Sequence, residues 1–389
     1  MIENRNYLRR ELTGTEFGPA LRHALVDYLA ERCCVIVASV EDEDEAWAFL
    51  RAEEETRVDF SKSDRAKFNL LSIVPAGERP ECQKIWEACE TLLGAADMHA
   101  LLGHLRTLKR RRQSAKPVEV EIAEIYAFDV AGAGSSFLSG QLRPAAERLA
   151  FLRRRRGDAG GIGTYAERLE WIDRQLWVPA SLLWLERRRD PEESLLFFKR
   201  LERLVWMMKI AGFDPTSQQS RIVQLLAEID RGAAVARMRE LEITADMRDK
   251  ALGNLRSPSF DAKHFCARVL RRISIALGQD PGPVERDRLT IEHVLPRALN
   301  PRSGWRTHFP SQRSVKQHAH RLGNLTFLSP EENQQADTLA WTAKRPILAA
   351  SQFLLSTSLA EADEWTPSRI LGRTEELIGA LFKDWELKL

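Results

Sequence analysis

The sequence predicts a mostly α-helical protein that carries a small C-terminal module of two strands and one helix. Two observations predict this class. Through residues 165–210, apolar side chains recur every three to five positions within their helices, which is the spacing of amphipathic helices. Further along, an apolar segment at 289–291 and a Gly-Asn-containing segment near 324 have the character of short strands, and a strong helix start follows at Ser329.

The chain of 389 residues exceeds the size of one ordinary hydrophobic core, so we expect several regions. Residues 1–75 are the N-terminal region, residues 76–278 an α-helical domain, and residues 279–389 the C-terminal module with its final helices. The second boundary rests on the segment GQDPGP at 278–283, whose glycines and prolines end the helix predicted at 265–277.

Local signals place the other elements. VIVASV at 35–40 is the best strand candidate before the C-terminal module. Asp190 followed by Pro191 predicts the N-cap and first turn of a helix. The tryptophans of the middle region are expected to pack between helices rather than to bind a ligand. GDAGGIG at 157–163 lacks the Lys-Ser/Thr of a phosphate loop and follows arginines, so it predicts a helix connection.

The composition is that of a cytoplasmic globular protein. The 58 basic and 56 acidic residues nearly balance, and the basic runs at 109–112 and 153–156 are more typical of solvated helix ends than of a DNA-binding surface, although they could contact a DNA backbone. The five cysteines form no CxxC pair, which favours free thiols in a reducing compartment. We find neither a membrane-spanning run nor the apolar core of a signal peptide.

The segment LTIEHVLP at 289–296 carries the strongest chemical signal, because an apolar strand ends there in Glu292 and His293. Together with HRLGNLTFLSPEEN at 320–333, it has the residue order of a ββα-metal, or HNH, nuclease site. Neighbouring strand residues point to opposite faces, so the strand must end or bulge for both side chains to serve one site. We expect Glu292 to bind a metal and His293 to be the general base.

Ser329, Pro330 and Glu332 form a predicted capping box, which fixes Asn333 near the start of a helix. There its amide oxygen would complete the shell of Mg²⁺ or Mn²⁺, since hard cations prefer oxygen ligands. Asn324 would hydrogen-bond the loop that carries His293. Each feature alone is commonplace: a Glu-His pair is usually a surface pair, and a Gly-Asn pair often marks only a turn. A zinc pair at 318 and 320 is disfavoured because no cysteine lies near it in the sequence.

The C-terminal part resembles the HNH domain of GmrSD-type, modification-dependent (type IV) restriction endonucleases. The matching residues are RLTIEHVLPRAL at 288–299, HRLGNLTFLSPEEN at 320–333, Lys344 with Arg345, Ser351, and the tail from 364 to Trp385. The resemblance is more diffuse upstream, through the middle helices.

The resemblance implies residue roles. Glu292 corresponds to the acidic metal ligand, His293 to the base, Asn324 to the central Asn and Asn333 to the last metal-site residue. The resemblance also implies that His320 is a catalytic residue and that Arg321, Lys344 and Arg345 contact DNA. For Lys344, eleven residues of continuous helix beyond Asn333 span about 16 Å. We therefore expect a phosphate contact further along the DNA, or a structural ion pair, rather than a role at the metal.

The N-terminal region departs from the family. Relatives begin with a ParB-like nucleotidase domain bearing an Asp-Gly-Gln-Gln-Arg motif, which this sequence lacks; only residues 35–71, ending in Asp64-x-x-Lys67, echo it. The resemblance thus implies a DNA-cleaving or DNA-nicking enzyme of antiviral defence, truncated or working with a separate nucleotide-binding subunit. Two alternatives stay open: a non-catalytic DNA- or partner-binding subunit, and a nuclease that acts on RNA.

Overall fold

The computed structural model describes residues 9–10, 12, 18–33, 61–112, 114–154, 161–187, 190–282, 288–299 and 302–389. The chain divides into two units, Met1–Phe60 and Ser61–Leu389. In the first unit the structure describes helix α1 (Pro19–Arg32), all of whose residues are partly or fully exposed. The strand predicted at 35–40 lies outside the described residues, as does the rest of the segment that echoes the ParB-like region up to residue 60.

The second unit is built almost entirely of helices, which confirms the mostly α fold class. Its helices are α2 (Lys62–Leu71), α3 (Arg79–Leu93), α4 (Ala95–Arg110), α5 (Val118–Tyr126), α6 (Ala133–Phe137), α7 (Arg143–Arg154), α8 (Ile162–Ile172), α9 (Val178–Arg187), α10 (Pro191–Ala211), α11 (Pro215–Asp230), α12 (Ala245–Leu255), α13 (Cys266–Ala276), α14 (Gln312–His318), α15 (Pro330–Ala336), α16 (Trp341–Ala350), α17 (Leu354–Thr357) and α18 (Pro367–Asp384). None of the described helices is long and apolar enough to cross a bilayer.

Helix α10 lies at the centre of this unit, between α8 and α12. Asp190 caps it by accepting hydrogen bonds from the first-turn N–H groups, and Pro191 occupies the first turn, as predicted. Trp177, Trp184 and Trp206 are fully buried between helices, which confirms that these three are core residues. Trp171, expected in the same core, is only partly buried and lies against the guanidinium of Arg271. Most of the side chains along α10 are buried, because both neighbouring helices cover it.

The C-terminal helix is tied to this centre by a buried polar network. Arg272 on α13 donates from Nε to Glu202 on α10 at 2.8 Å and also pairs with Asp384 at the end of α18. The indole of Trp385 donates to the other oxygen of Glu202 at 2.9 Å. A buried cation of this kind is stable only with such partners, so the network fixes α18 against α10 and α13.

The strands described in the second unit are β1 (Thr290–His293) and β2 (Leu325–Leu328), which pair antiparallel. Thr290 lies opposite Leu328, and His293 lies opposite Leu325. Helix α15 follows β2 directly, as predicted, and helix α14 lies between the two strands along the chain. The assignment of these elements to a ββα-metal module remains a prediction. The boundaries at 75/76 and 278/279 remain predictions.

One geometric expectation is wrong. The helix that starts at Ser329 does not continue to residue 344: α15 ends at Ala336, and Asp337 has a positive φ of 29°. A separate helix, α16, begins at Trp341. Because the chain turns between them, Lys344 is brought back towards β1 rather than carried away from it.

Candidate functional site

His293 ends β1 and points towards a carboxylate that the sequence analysis did not identify. Its Nε2 lies 2.9 Å from Oδ2 of Asp261. The same oxygen lies 2.6 Å from Nδ1 of His320, and the two imidazole rings are edge to face with centroids 5.8 Å apart. Asp261 sits in the short turn Phe260–Ala262, where its N–H also donates to the carbonyl of His320 at 3.2 Å. Asp261, His293 and His320 are called the histidine–aspartate cluster below.

The electrostatics of the histidine–aspartate cluster favour a neutral His293 and a charged Asp261. Burial lowers the pKa of His293, and this outweighs the opposite influence of its hydrogen bond to Asp261. Burial alone would raise the pKa of Asp261, but the hydrogen bonds from His320 and His293 outweigh it and leave that pKa lowered. At neutral pH, His293 therefore donates from Nε2 to the charged carboxylate of Asp261, and its Nδ1 is the ring nitrogen that can accept a proton.

Asn324 holds the loop that follows His293. Its Oδ1 accepts from the N–H of Leu295 at 2.8 Å, and its Nδ2 donates to the carbonyls of Leu295 at 3.0 Å and Ala319 at 2.8 Å. The indole of Trp365 donates to Oδ1 at 3.0 Å, so the fully buried amide has four partners. The structure thus contains the predicted hydrogen bonds from Asn324 to the loop that follows His293, while the importance of Asn324 for activity remains a prediction.

The neighbouring residue explains why Asn324 is so closely held. A Cβ on Gly323 would lie 2.0 Å from the carbonyl oxygen of Ile370 on α18. Only glycine permits this approach of backbone to backbone. Arg373, also on α18 and buried, donates to the carbonyls of Gly323 at 2.7 Å and Leu325 at 2.8 Å. The C-terminal helix therefore holds the residues on both sides of Asn324.

Glu292 lies on the opposite face of β1 from His293, as strand alternation requires. Its carboxylate is buried and forms a close ion pair with the ammonium of Lys344, whose side chain is completely buried. Lys344 also donates to the carbonyl of His293 at 3.2 Å. Burial is the largest influence on both groups: it raises the pKa of Glu292 and lowers that of Lys344. Of the two roles considered for Lys344, the structure shows the ion pair.

Asn333 lies near the face of β1 that carries Glu292. The capping box is confirmed, because Ser329 Oγ accepts from the N–H of Glu332 and the Glu332 carboxylate accepts from the N–H of Ser329. From this fixed helix start, Asn333 Nδ2 donates to the hydroxyl of Thr290 at 2.7 Å. The predicted set is therefore split: Glu292, Asn333 and Lys344 are associated with one face of β1, and His293 and His320 meet at its end.

The remaining predicted residues lie around this centre without joining it. Arg321 donates from Nε to the carbonyl of Gln317 and from Nη1 to that of Arg256, each at 2.8 Å. Arg345 donates to the carbonyl of Ala360 at 2.7 Å and is partly exposed. Their contacts with DNA remain predictions.

The two histidines of the sequence pair His318-x-His320 have different partners. The Nδ1 of His318 bonds the carbonyl of Ser314 at 2.8 Å, within its own helix, and its ring packs against Phe309. His320 instead bonds Asp261. The two side chains are not brought to a common point.

Of the pair first expected to hold Mg²⁺, Glu292 does not fit a divalent cation in this structure, because its carboxylate is paired with the buried ammonium of Lys344. Asn333 donates from Nδ2 to Thr290, a bond that does not use the amide oxygen expected to bind the cation. Among the described residues, the carboxylate and imidazole groups that could converge on one metal ion are those of Asp261, His293 and His320, whose ligand atoms lie within 4.8 Å of one another.

The fold and the site together define a mostly helical protein whose C-terminal strand pair ends in an imidazole–carboxylate centre. Residues 245–380 match the family model described as GmrSD restriction endonucleases, C-terminal domain. Over this segment the chain is similar to the C-terminal domain of GmrSD restriction endonucleases, which confirms the resemblance. No curated protein matches the chain significantly. The matched segment begins before residue 261, so it includes the Asp261 that the local motifs did not reveal.

Proposed function

We propose that this protein is a metal-dependent HNH-type endonuclease that nicks or cleaves DNA at the histidine–aspartate cluster, in defence against foreign or modified DNA. The observation that carries the proposal is the 2.9 Å contact between His293 and Asp261 at the end of β1, inside the segment that matches a restriction endonuclease domain. The pairing gives an imidazole a fixed orientation at the position where the sequence pattern expects the essential histidine.

The chemistry of the cluster suits phosphodiester hydrolysis. The reaction must generate a nucleophile from water, balance the extra negative charge of the pentacovalent phosphate, and release the 3′ oxygen. His293 is neutral at pH 7 because burial lowers its pKa, and Asp261 holds the ring in one orientation. A neutral ring nitrogen is what proton abstraction and cation binding both require.

Asn324 supports this centre from behind. Two of its four hydrogen bonds fix Leu295, two residues beyond His293, to the turn that precedes β2, and the other two join Ala319 and Trp365. Positioning of this kind contributes to rate because a displacement of about 1 Å can reduce catalysis roughly 100-fold. We therefore assign Asn324 a positioning role rather than contact with the substrate.

The proposal is tested by following a supercoiled plasmid with the full chain, with and without Mn²⁺ or Mg²⁺. We expect cation-dependent nicking that falls at least about 100-fold in His293→Ala, the loss typical of an essential acid–base or ligand residue. His318→Ala is the matched control, because that ring bonds only its own helix and packs on Phe309 in the described contacts. Equal nicking by wild type and His293→Ala would rule out the proposed centre.

A second candidate, a non-catalytic DNA-binding or partner-binding subunit, is favoured by one observation. The carboxylate of Glu292, which the sequence pattern assigns to the metal, is tied to Lys344. The plasmid assay separates the candidates when DNA binding is measured alongside it. Binding without nicking under every cation tested would support the subunit. Incubating the protein with an RNA transcript of the plasmid sequence tests for an RNA nuclease.

A further inference from the structure

The histidine–aspartate cluster has the donor set of a transition-metal site. We propose that Asp261, His293 and His320 bind one divalent transition-metal ion, and that this ion is the cation on which hydrolysis depends. The second part rests on the proposed endonuclease function, whereas the binding site itself is argued from the geometry alone. The proposal moves the cation from the Glu292 face of β1 to the end of the strand.

The spacing of the donor atoms requires only a small opening. In a four-coordinate site with ligand bonds of about 2.0–2.1 Å, neighbouring ligand atoms are about 3.4 Å apart. The two imidazole nitrogens lie 2.9 Å and 2.6 Å from Asp261 Oδ2. Each contact must therefore lengthen by roughly 0.5–0.8 Å, a change within the reach of side-chain rotation. The bound ion would take the place of the proton that each ring nitrogen donates to Asp261, and these protons would be released to solvent.

The side chains of the cluster are partly exposed to solvent. The side chains of Asp261 and His320 are 18% and 29% exposed, against 11% for His293. A cation held there would retain contact with water, and an open coordination position distinguishes catalytic from structural sites. When bound, such an ion supplies charge for the phosphate oxygens and lowers the pKa of water.

The chemistry of the donors selects the type of cation. Two imidazoles and one carboxylate suit Mn²⁺, Co²⁺, Ni²⁺ or Zn²⁺, whereas Mg²⁺ is usually bound by carboxylates and waters. The buried thiol of Cys266 is not part of this group of converging ligand atoms, so it adds no soft ligand. We therefore expect Co²⁺ and Mn²⁺ to bind in preference to Mg²⁺.

The proposal also changes the role of His293. A ring nitrogen that coordinates a cation cannot at the same time accept a proton from water, so His293 becomes a ligand rather than the general base. The two roles are separable by a binding measurement without DNA. If His293 is a ligand, its removal abolishes the metal site; if it is only a base, the site persists without it.

The experiment is a Co²⁺ titration of the full chain, read by the visible absorption of bound Co²⁺. We expect one ion per chain, displaced by Zn²⁺ but not by a tenfold excess of Mg²⁺. Asp261→Asn, His293→Ala and His320→Ala should each weaken Co²⁺ binding at least about 10-fold, the smaller end of the losses seen even for outer-shell groups. Circular dichroism of each variant checks that it is folded, and His293→Gln and His320→Gln replace any alanine variant that is not.

The controls are Asn333→Ala and the double variant Glu292→Leu/Lys344→Met, which remove the originally expected metal ligands without leaving one charge of the buried pair alone. Once circular dichroism shows that they are folded, both should leave the Co²⁺ spectrum unchanged. The proposal is overturned if these controls lose the spectrum, if folded His293→Ala retains it, or if no Co²⁺ binds. Co²⁺ binding without plasmid nicking would reject the endonuclease and leave the metal site standing. Nicking by a protein that binds no Co²⁺ would reject the metal site and leave the endonuclease standing.

Discussion

The substitution Lys344→Met tests whether Glu292 is a structural partner rather than a metal ligand. It leaves the carboxylate of Glu292 buried without its cation, and it removes a hydrogen bond to the carbonyl of His293. Removing one partner of a buried ion pair costs about 3–5 kcal/mol. For a unit that spans Ser61–Leu389, an unfolding entropy of about 2.1 cal/mol/K per residue turns this into a Tm lower by about 4–7 °C.

The assay is thermal and urea unfolding of single and double variants. In the double variant Glu292→Leu/Lys344→Met neither charge of this pair is left buried, so we expect most of the lost stability to return. Lys84→Met is the matched control: the Lys84–Glu81 pair is 3.8 Å apart with both side chains exposed, and it should contribute less than about 1 kcal/mol. A Lys344→Met protein as stable as Lys84→Met, or a double variant no better than the single, would refute this reasoning.

Three further predictions concern stability. Burial lowers the pKa of His104 from 6.5 to about 4. The unfolded chain therefore binds a proton before the folded one does, and the free energy of unfolding should fall by about 3 kcal/mol as the pH drops from 6.5 to 4. His104→Gln should remove this pH dependence in urea titrations, whereas His308→Gln should not. Gly323→Ala should prevent helix α18 from docking and yield little soluble protein, whereas Gly103→Ala, with nothing within 4 Å, should raise stability by about 0.5–1 kcal/mol. Asn324→Asp should lower Tm sharply, since an ionised carboxylate cannot donate to two buried carbonyls; an unchanged Tm would contradict this.

The sequence predicts the features of this molecule that depend on short-range rules. The capping box at Ser329 and the cap at Asp190 with Pro191 appear as expected, because each is determined by residues within one helical turn. The bond from Asn324 to the loop after His293 is also anticipated, since a strand pair of known order places the two segments side by side.

Long-range features were beyond this kind of reasoning. Asp261 lies 32 positions before His293 in a short turn with no motif of its own, and only the packing of the unit brings the two together. The position expected for Lys344 is wrong because it assumes one continuous helix from Ser329, whereas the turn at Asp337 separates two helices. Glu292 and His293 could serve one site only if the strand ended or bulged between them. The strand stays regular up to its end, so the two side chains lie on opposite faces.

The account depends most directly on Asp261, which the structure adds to the sequence pattern. The decisive measurement is the initial rate at which full-length protein nicks a supercoiled plasmid in Mn²⁺, compared between wild type and Asp261→Asn. We predict that this nearly isosteric change lowers the rate at least about 10-fold, because it removes the charge that both imidazoles contact. A folded Asp261→Asn protein that nicks at the wild-type rate would contradict the proposed centre.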